Sequence, residues 1–193
     1  MSERIGLFGG SFDPVHIGHQ KIVNSFLENG KIDELWILPS ASPPHKKYRK
    51  LTKFSIRCEM VDAAFKNRPG VKVVRLEERL PAPNYTLQTL KHLQGEYPDK
   101  KFFLCIGSDS LQQITSWYRY KDLLARCKLL VAKRPDYDVT DVPPEASVHF
   151  VDHQPVPFSS SEIREKIGGG EPVDELVPPE VFEIIKKYGL YKT

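Results

Sequence analysis

The sequence contains little cysteine, and its few cysteines are not grouped. Only 3 are present among 193 residues, at Cys58, Cys105 and Cys127. An odd number of widely spaced cysteines argues against a disulfide framework and against a zinc site. A reducing cytoplasm is the simplest setting for such a chain, and we expect Cys105 to be buried in a strand.

The chain also lacks a long uncharged apolar run, so no membrane span is predicted. Its N-terminus, MSERIGLFGG, has no basic start followed by an apolar stretch, which excludes a typical signal peptide. The composition is 40% hydrophobic and 27% charged, with a net charge of +3. These values favour one globular domain over residues 1–193 rather than a disordered chain.

Short apolar runs alternate with helical patterns along the sequence. The runs predicted to be strands are 4–9, 33–39, 71–76, 101–107, 128–134 and 147–152. The predicted helices are 19–30, 55–67, 84–97, 159–167 and 178–190, with Asn84 as a candidate cap of the third. This alternation predicts an α/β fold with a parallel sheet and helices on both faces. Ligands of such sheets bind beyond the carboxyl ends of the strands.

The segment GLFGGSFDPVHIGH carries the strongest chemical signal. It leaves the first strand through Gly9 and Gly10, which allow close approach to a ligand and positive φ angles. Asp13 can cap a helix and Pro14 suits a first turn, so we expect a helix to begin between Pro14 and Gly18.

Two histidines, His16 and His19, lie three residues apart and therefore share a face near that helix N-terminus. The free N–H groups and the dipole there suit phosphate, and protonated imidazoles add donors. Gly18 leaves room for a flat group, such as a purine. A purely structural turn and a pair of metal ligands are the alternatives, although no third ligand is evident nearby.

This string resembles the HxGH signature of the nucleotidylyltransferase superfamily, with His16-Ile17-Gly18-His19 following Gly-Gly-Ser-Phe-Asp-Pro. The resemblance implies a Rossmann-like fold in which the two histidines hold the ATP phosphates and stabilise charge during transfer. The ATP-binding residues that it implies in this segment are Gly9, Gly10, Ser11, Phe12, His16, Gly18 and His19.

The segment FSSSEIREKI contains a second motif. Ser159 and Glu162 form a capping box, with Phe158 and Ile163 as partners of a hydrophobic staple, which is a complete structural explanation for these four residues.

That explanation leaves three residues of the second motif unused. Ser160, Ser161 and Arg164 share a helix face, where hydroxyls and a forked cation suit a polyphosphate. The segment resembles the superfamily's second motif, with Ser161 where threonine is common, and this implies that Arg164 binds the β and γ phosphates of ATP.

Three internal segments resemble the bacterial nicotinate-nucleotide adenylyltransferase family: PPHK, NYTLQTL and IGSDSLQQITSWYRYKDLL. An exposed Trp117 would suit stacking on a pyridine ring, although a core position is the alternative. One departure is Tyr120, where the family often has a second tryptophan. The mononucleotide-binding residues implied by the resemblance are Trp117 for stacking, Tyr85, Thr86 and Tyr118 around the carboxylate, Asp109 near the ribose, and His45 and Lys46 near phosphate.

The reaction implied is transfer of AMP from ATP to nicotinate mononucleotide, with pyrophosphate released, as a step of NAD biosynthesis. Its catalytic residues would be His16, His19, Lys46 and Arg164. Catalysis would rest on positioning and charge neutralisation, with Mg²⁺ bridging ATP oxygens and no cluster of protein ligands holding the metal.

Other interpretations of the function remain open. Related enzymes join ATP to phosphopantetheine or CTP to an alcohol phosphate, and nicotinamide mononucleotide could replace nicotinate mononucleotide. The basic residues Lys46, Lys47, Arg49, Lys50, Lys53 and Arg57 suit a solvated surface, phosphate contact or a nucleic-acid binder without turnover. Only two aromatic residues, Tyr48 and Phe54, lie among these basic residues, so neither nucleic acid nor membrane is an expected partner. A homo-oligomer is left open.

Overall fold

The computed structural model describes residues 2–43, 51–133 and 142–192, which form a single α/β domain. The strands are β1 (Arg4–Gly10), β2 (Glu34–Pro39), β3 (Val71–Val73), β4 (Lys101–Gly107), β5 (Lys128–Lys133) and β6 (Val148–Asp152). The helices are α1 (Ile17–Glu28), α2 (Phe54–Phe65), α3 (Thr86–Glu96), α4 (Ser108–Gln112), α5 (Tyr120–Leu124), α6 (Ser160–Gly168) and α7 (Pro179–Tyr188).

The described strands form one parallel sheet in the order β3-β2-β1-β4-β5-β6. The chain therefore moves outward from β1 to β3 and then returns to place β4 on the other side of β1. Such a reversal opens a crevice at the carboxyl ends of the two central strands, where ligands of these folds bind. Gly10 ends β1 and Gly107 ends β4, so both residues lie at this crevice.

Both faces of the sheet are covered by helices, as the continuous apolar strands predict. In β2, Leu35 and Ile37 join a core shared with α1, α2, α6 and α7. Trp36 and Leu38 point to the opposite face and join a core shared with α3, α4 and α5. This two-layered burial confirms the predicted fold class.

The third strand is shorter than predicted. It ends at Val73, and a 3-10 turn over Leu76–Arg79 begins at the last residue of the predicted run. As an edge strand, β3 pairs only with β2, so few ladder bonds hold its extended form. The turn carries Glu77 into the protein, where it is 8% exposed.

Asn84 does not cap α3, whose N-cap is Tyr85. The Asn84 amide instead donates to the Glu77 carbonyl at 3.0 Å, and its oxygen accepts from the Ser42 N–H at 2.7 Å. The sequence pattern also missed the helices α4 and α5, which are only five residues each and too short to show a helical period.

All three cysteines are free and buried, and Cys105 is 1% exposed in β4, as expected. Burial raises the pKa of Cys127 to about 12, so this thiol stays protonated at neutral pH. No helix in the described ranges is long and apolar enough to cross a bilayer.

Candidate active site

In the glycine turn after β1, the positive φ angle is not at the glycines where it was expected. Neither Gly9 nor Gly10 has a positive φ, whereas Phe12 adopts a φ of 48°. A side chain on Gly10 would lie 2.9 Å from the Phe12 ring, so this glycine makes room for the aromatic residue. A Cβ on Gly9 would meet nothing within 4 Å, which leaves its backbone open to a ligand.

Phe12 is buried behind the site and contacts one of its histidines. Its side chain is 1% exposed and packs edge-on to His19, with 5.0 Å between the ring centroids. Its side chain therefore positions the histidine rather than facing the crevice.

Asp13 is not the helix cap that the sequence suggested. Helix α1 begins at Ile17 with His16 as its N-cap, within the predicted limits for the start. The Asp13 carboxylate is engaged elsewhere, because it accepts a hydrogen bond from the Tyr191 phenol at 2.7 Å and from the Thr52 N–H at 3.3 Å.

His16 and His19 meet as predicted, with ring centroids 3.8 Å apart. The backbone N–H of His16 donates to Nδ1 of His19 at 3.1 Å. Burial lowers the pKa of His16 to about 4, so its ring is neutral at pH 7. Its Nδ1 is buried beside Gly18 and has no hydrogen-bond partner among the described residues.

The role of Gly18 differs from the one predicted. A Cβ at this position would lie 2.6 Å from Cγ2 of Val156 and 2.9 Å from two atoms of the His16 ring. Glycine is therefore required for packing against Val156 and His16, and the space beside it is already filled.

The second motif lies against the first. Ser159 caps α6 by accepting from the Glu162 N–H at 3.4 Å, which confirms the cap. The Glu162 carboxylate accepts from Ser159 Oγ at 2.7 Å, which is a different bond from the second one of a capping box. Ser160 Oγ donates to the carbonyl of Pro14 at 2.9 Å. Arg164 donates to the carbonyl of Asp13 through Nη1, and to Ser161 Oγ at 3.0 Å through Nη2. The two ends of the sequence therefore meet at one turn.

The predicted hydrophobic staple is consistent with the packing. Ile163 is buried, and Phe158 packs against the same apolar core. Phe158 also lies edge-on to His16, with 5.7 Å between the ring centroids.

A cavity of about 580 Å³ adjoins the glycine turn. Its wall runs from the end of β1, past the end of β4, to the start of α3 and the loop before α5. The predicted residues that line it are Gly9, Gly10, Ser11, Tyr85, Thr86, Trp117 and Tyr118. His16, His19 and Arg164 do not line it. The two histidines follow Ser11 in the sequence, and Arg164 contacts Asp13, between Ser11 and His16, so the cavity suits the acceptor rather than the triphosphate.

Three aromatic residues surround one part of this cavity. Tyr85 and Tyr118 stack with centroids 4.4 Å apart. Trp117 is half-buried, packs on the core beside α5 and still lines the cavity. Trp117 is therefore only partly a core residue, and its stacking on a pyridine ring stays a prediction.

The structure does not place the other residues predicted to bind the mononucleotide at the wall of this cavity. Asp109 is exposed in the first turn of α4, and it does not line the cavity, although its neighbours Gly107 and Ser110 do. His45 and Lys46 lie outside the described residues. A second cavity, of about 620 Å³, lies beside α1 and is lined by none of the predicted site residues.

Glu77 is a cavity residue that the sequence did not reveal. Its carboxylate accepts from Ser40 Oγ at 2.8 Å and from Thr89 Oγ at 3.3 Å. Burial raises its pKa. No local signal marks it, because it lies in a short turn just after the predicted strand over 71–76.

Arg57 does not lie on a solvated surface, which was one of the interpretations of the basic segment. Its side chain is 1% exposed and donates to backbone carbonyls of the site, including that of Ser11 at 2.6 Å. Within the part of the chain that the structure describes, no group of three or more His, Cys, Asp or Glu side chains could hold a metal ion.

Comparison with known proteins agrees with this geometry. A cytidylyltransferase-like family model matches residues 7–166. A relative from Bacillus pumilus is 36% identical over 99% of this chain and 100% of its own length. A nicotinate-nucleotide adenylyltransferase from Bacillus subtilis is 34% identical over 99% of this chain and 100% of its own. This chain belongs to the nicotinate-nucleotide adenylyltransferase family.

A solved structure supports the fold of the family. The nicotinic acid mononucleotide adenylyltransferase of Plasmodium falciparum, complexed with NaAD, superposes with a TM-score of 0.80. The match covers 98% of this chain and 97% of that one at 21% identity. Family membership confirms the resemblance drawn from the histidine turn and the segments around Thr86 and Trp117, while the roles of individual residues stay predictions.

Proposed function

We propose that this protein transfers AMP from ATP to nicotinate mononucleotide, giving nicotinate adenine dinucleotide and pyrophosphate, as a step of NAD biosynthesis. The observation that carries the proposal is the junction at Asp13, where Arg164 of the second motif lies against the turn that presents His16 and His19. The adjoining aromatic cavity suits a pyridine nucleotide. The family to which the chain belongs supports the choice of substrates.

The reaction is an in-line displacement at phosphorus. An oxygen of the mononucleotide 5′-phosphate bonds to the α-phosphorus of ATP, and the bond from that phosphorus to the bridging oxygen of pyrophosphate breaks. The acceptor phosphate is already ionised near neutral pH, so no protein base is needed. The protein contributes by holding the two phosphates in line and by placing donors where negative charge builds up.

His19 supplies a donor in a defined tautomer. Because Nδ1 of His19 accepts from the His16 backbone, a neutral His19 ring carries its proton on Nε2, which can donate to phosphate. His16 is neutral before ATP binds, and the charge of a bound triphosphate would raise its pKa and favour the protonated donor form.

The opposite end of the crevice would bind the acceptor. Helix α3 begins at Thr86, and the first N–H groups of a helix have no partner within it, so they suit the nicotinate carboxylate. Trp117 would stack on the pyridine ring. We assign Tyr85, Tyr118 and Asp109 to the same acceptor end, and His45 and Lys46 to its phosphate.

Magnesium would enter with ATP. The described residues at the histidine turn offer no carboxylate cluster that could hold it, whereas ATP oxygens and water suit the octahedral geometry of Mg²⁺. When bound, the ion would neutralise phosphate charge. A cytoplasmic location and the absence of nucleic-acid partners stay predictions.

The proposal is tested by pyrophosphate release from ATP and Mg²⁺ with nicotinate mononucleotide, nicotinamide mononucleotide, phosphopantetheine or no acceptor. We expect turnover with the first, less with the second and none with the others, because N–H donors at the start of α3 favour an acidic ring substituent. A CTP arm with glycerol phosphate tests the remaining relatives. Equal rates with and without acceptor, or turnover only with phosphopantetheine, would refute the proposal.

A further inference from the structure

The turn over residues 9–16, which joins β1 to α1, is called the phosphate turn below. Arg57, on α2, lies next to this turn and takes no direct part in the proposed mechanism. It is 1% exposed, and a guanidinium stays charged throughout the physiological pH range. A buried charge is costly unless its hydrogen bonds are satisfied. The Arg57 guanidinium donates to three backbone carbonyls: Thr52 at 2.9 Å, Ser11 at 2.6 Å and Ser40 at 2.8 Å.

These three carbonyls belong to separate parts of the site. Ser11 is in the glycine turn after β1, Ser40 follows β2 and Thr52 precedes α2. In the sequence, Ser40 and Thr52 flank the segment that contains His45 and Lys46. One guanidinium therefore holds both flanks of that segment against the phosphate turn.

Asp13 supplies the opposite charge. It is 2% exposed, and its charge is among those acting on Arg57. Its two carboxylate oxygens accept from the Tyr191 phenol and the Thr52 N–H, while its backbone carbonyl accepts from Arg164. Asp13 thus connects Arg164 on α6 to Tyr191, which follows α7.

Tyr191 is held in an unusual conformation. It follows α7 and has a φ of 64°, in the left-handed region that non-glycine residues seldom adopt. Its side chain packs against the core on the α7 side of the sheet. Burial and the Asp13 charge raise the pKa of Tyr191, so the phenol remains protonated and donates. Such backbone strain persists where surrounding contacts hold the residue firmly.

We propose that Asp13, Arg57 and Tyr191 form a positioning network for the phosphate turn, which makes the last residues of the chain a support of the active site. The three side chains act through the backbone of Ser11 and Asp13 rather than on the reacting atoms. A small displacement of this turn would misplace His16 and His19 relative to the triphosphate. The inference rests on the proposed function, because it concerns the same turn.

The test is a pair of matched substitutions, Tyr191→Phe and Tyr188→Phe. Each removes one phenol hydroxyl near the chain end, and each hydroxyl donates to a carboxylate. The Tyr191 hydroxyl donates to buried Asp13 at 2.7 Å, whereas Tyr188 donates to Glu59 at 2.9 Å from an exposed position. Steady-state kinetics are measured for both substrates and normalised to the folded fraction from circular dichroism.

For Tyr191→Phe we expect kcat to fall roughly 5- to 50-fold and KM for ATP to rise, with KM for nicotinate mononucleotide within about twofold of wild type. Tyr188→Phe should match wild type. Equal kinetics of the two variants, or a loss explained entirely by the folded fraction, would overturn the network. If wild type itself turned over neither mononucleotide, the proposed function would fail, which is a separate result.

Discussion

Arg164 donates a hydrogen bond to the backbone carbonyl of Asp13, a residue 151 positions earlier in the chain. The bond joins the last third of the sequence to the turn after the first strand. Because Arg164 also holds Ser161 Oγ at 3.0 Å, its guanidinium is oriented before any nucleotide binds. Preorganised donors of this kind cost no rearrangement when charge develops during the reaction.

Replacing His19 by alanine should lower kcat by roughly 10²–10³-fold, the scale of losing one preorganised donor. Its ring accepts from the His16 backbone, so the turn would also lose one internal bond. His92→Ala is the control, because His92 is exposed on α3 beside Glu96. A folded His19→Ala enzyme with the kcat of the control would show that His19 has no role in transfer.

Arg164→Lys keeps the positive charge but loses the fork that reaches both Asp13 and Ser161. We expect KM for ATP to rise roughly 10- to 100-fold, as for losing a hydrogen bond to a charged group, while KM for the mononucleotide stays unchanged. The control is Arg126→Lys at an exposed position. The prediction is wrong if both arginine variants bind ATP like wild type.

The free energy of unfolding should fall on acidification partly because of His16. Its pKa is about 4 in the folded state and 6.5 in the unfolded state, so between these values the unfolded chain binds more protons. Stability from this group is complete above pH 6.5, is lost as pH falls towards 4, and amounts to up to about 3 kcal/mol.

Urea unfolding of wild type and His16→Asn between pH 4 and 7 measures this contribution. The variant should lose less stability across that window, while His92→Asn should follow wild type. Parallel curves for His16→Asn and wild type would show that the His16 pKa is not lowered by folding.

Gly18→Ala should displace the His16 ring, because the new Cβ would lie 2.9 Å from two of its atoms and 2.6 Å from Val156. We expect kcat to fall roughly 10- to 100-fold and stability to fall by about 1–3 kcal/mol. Gly95→Ala is the matched control, since its Cβ would meet nothing within 4 Å. Similar kinetics and melting temperatures for the two variants would contradict the packing role of Gly18.

Nicotinate mononucleotide should quench the fluorescence of Trp117. The sequence contains 2 tryptophans, and the other, Trp36, is 1% exposed and packs in the core. Trp117→Phe should therefore abolish the quenching and leave the Trp36 signal unresponsive. Trp117→Ala should raise KM for the mononucleotide by the equivalent of about 1–3 kcal/mol, the value of one aromatic–base stack. Quenching that persists in Trp117→Phe would exclude the stack.

The sequence indicated much of the candidate site, but the roles predicted for several of its residues were wrong. Gly10 and Gly18 were recognised as necessary, yet their function is to make room for Phe12 and for His16 with Val156. Asp13 and Asn84 were interpreted as helix caps because capping is a local pattern, whereas their side chains bind distant segments. In each case the residue type showed that the position matters, but the sequence did not show which residue it contacts.

By itself the sequence determined the order of the six strands and of the five longer helices, the meeting of His16 with His19 and the Ser159 cap. These features depend on periodicity and on neighbours within one turn, so they can be derived from local chemistry. Only the tertiary structure decided that Arg57 is buried, that Glu77 lines the cavity and that Tyr191 supports the phosphate turn. The burial of a polar group depends on which distant segments satisfy its hydrogen bonds, and no local pattern records that pairing.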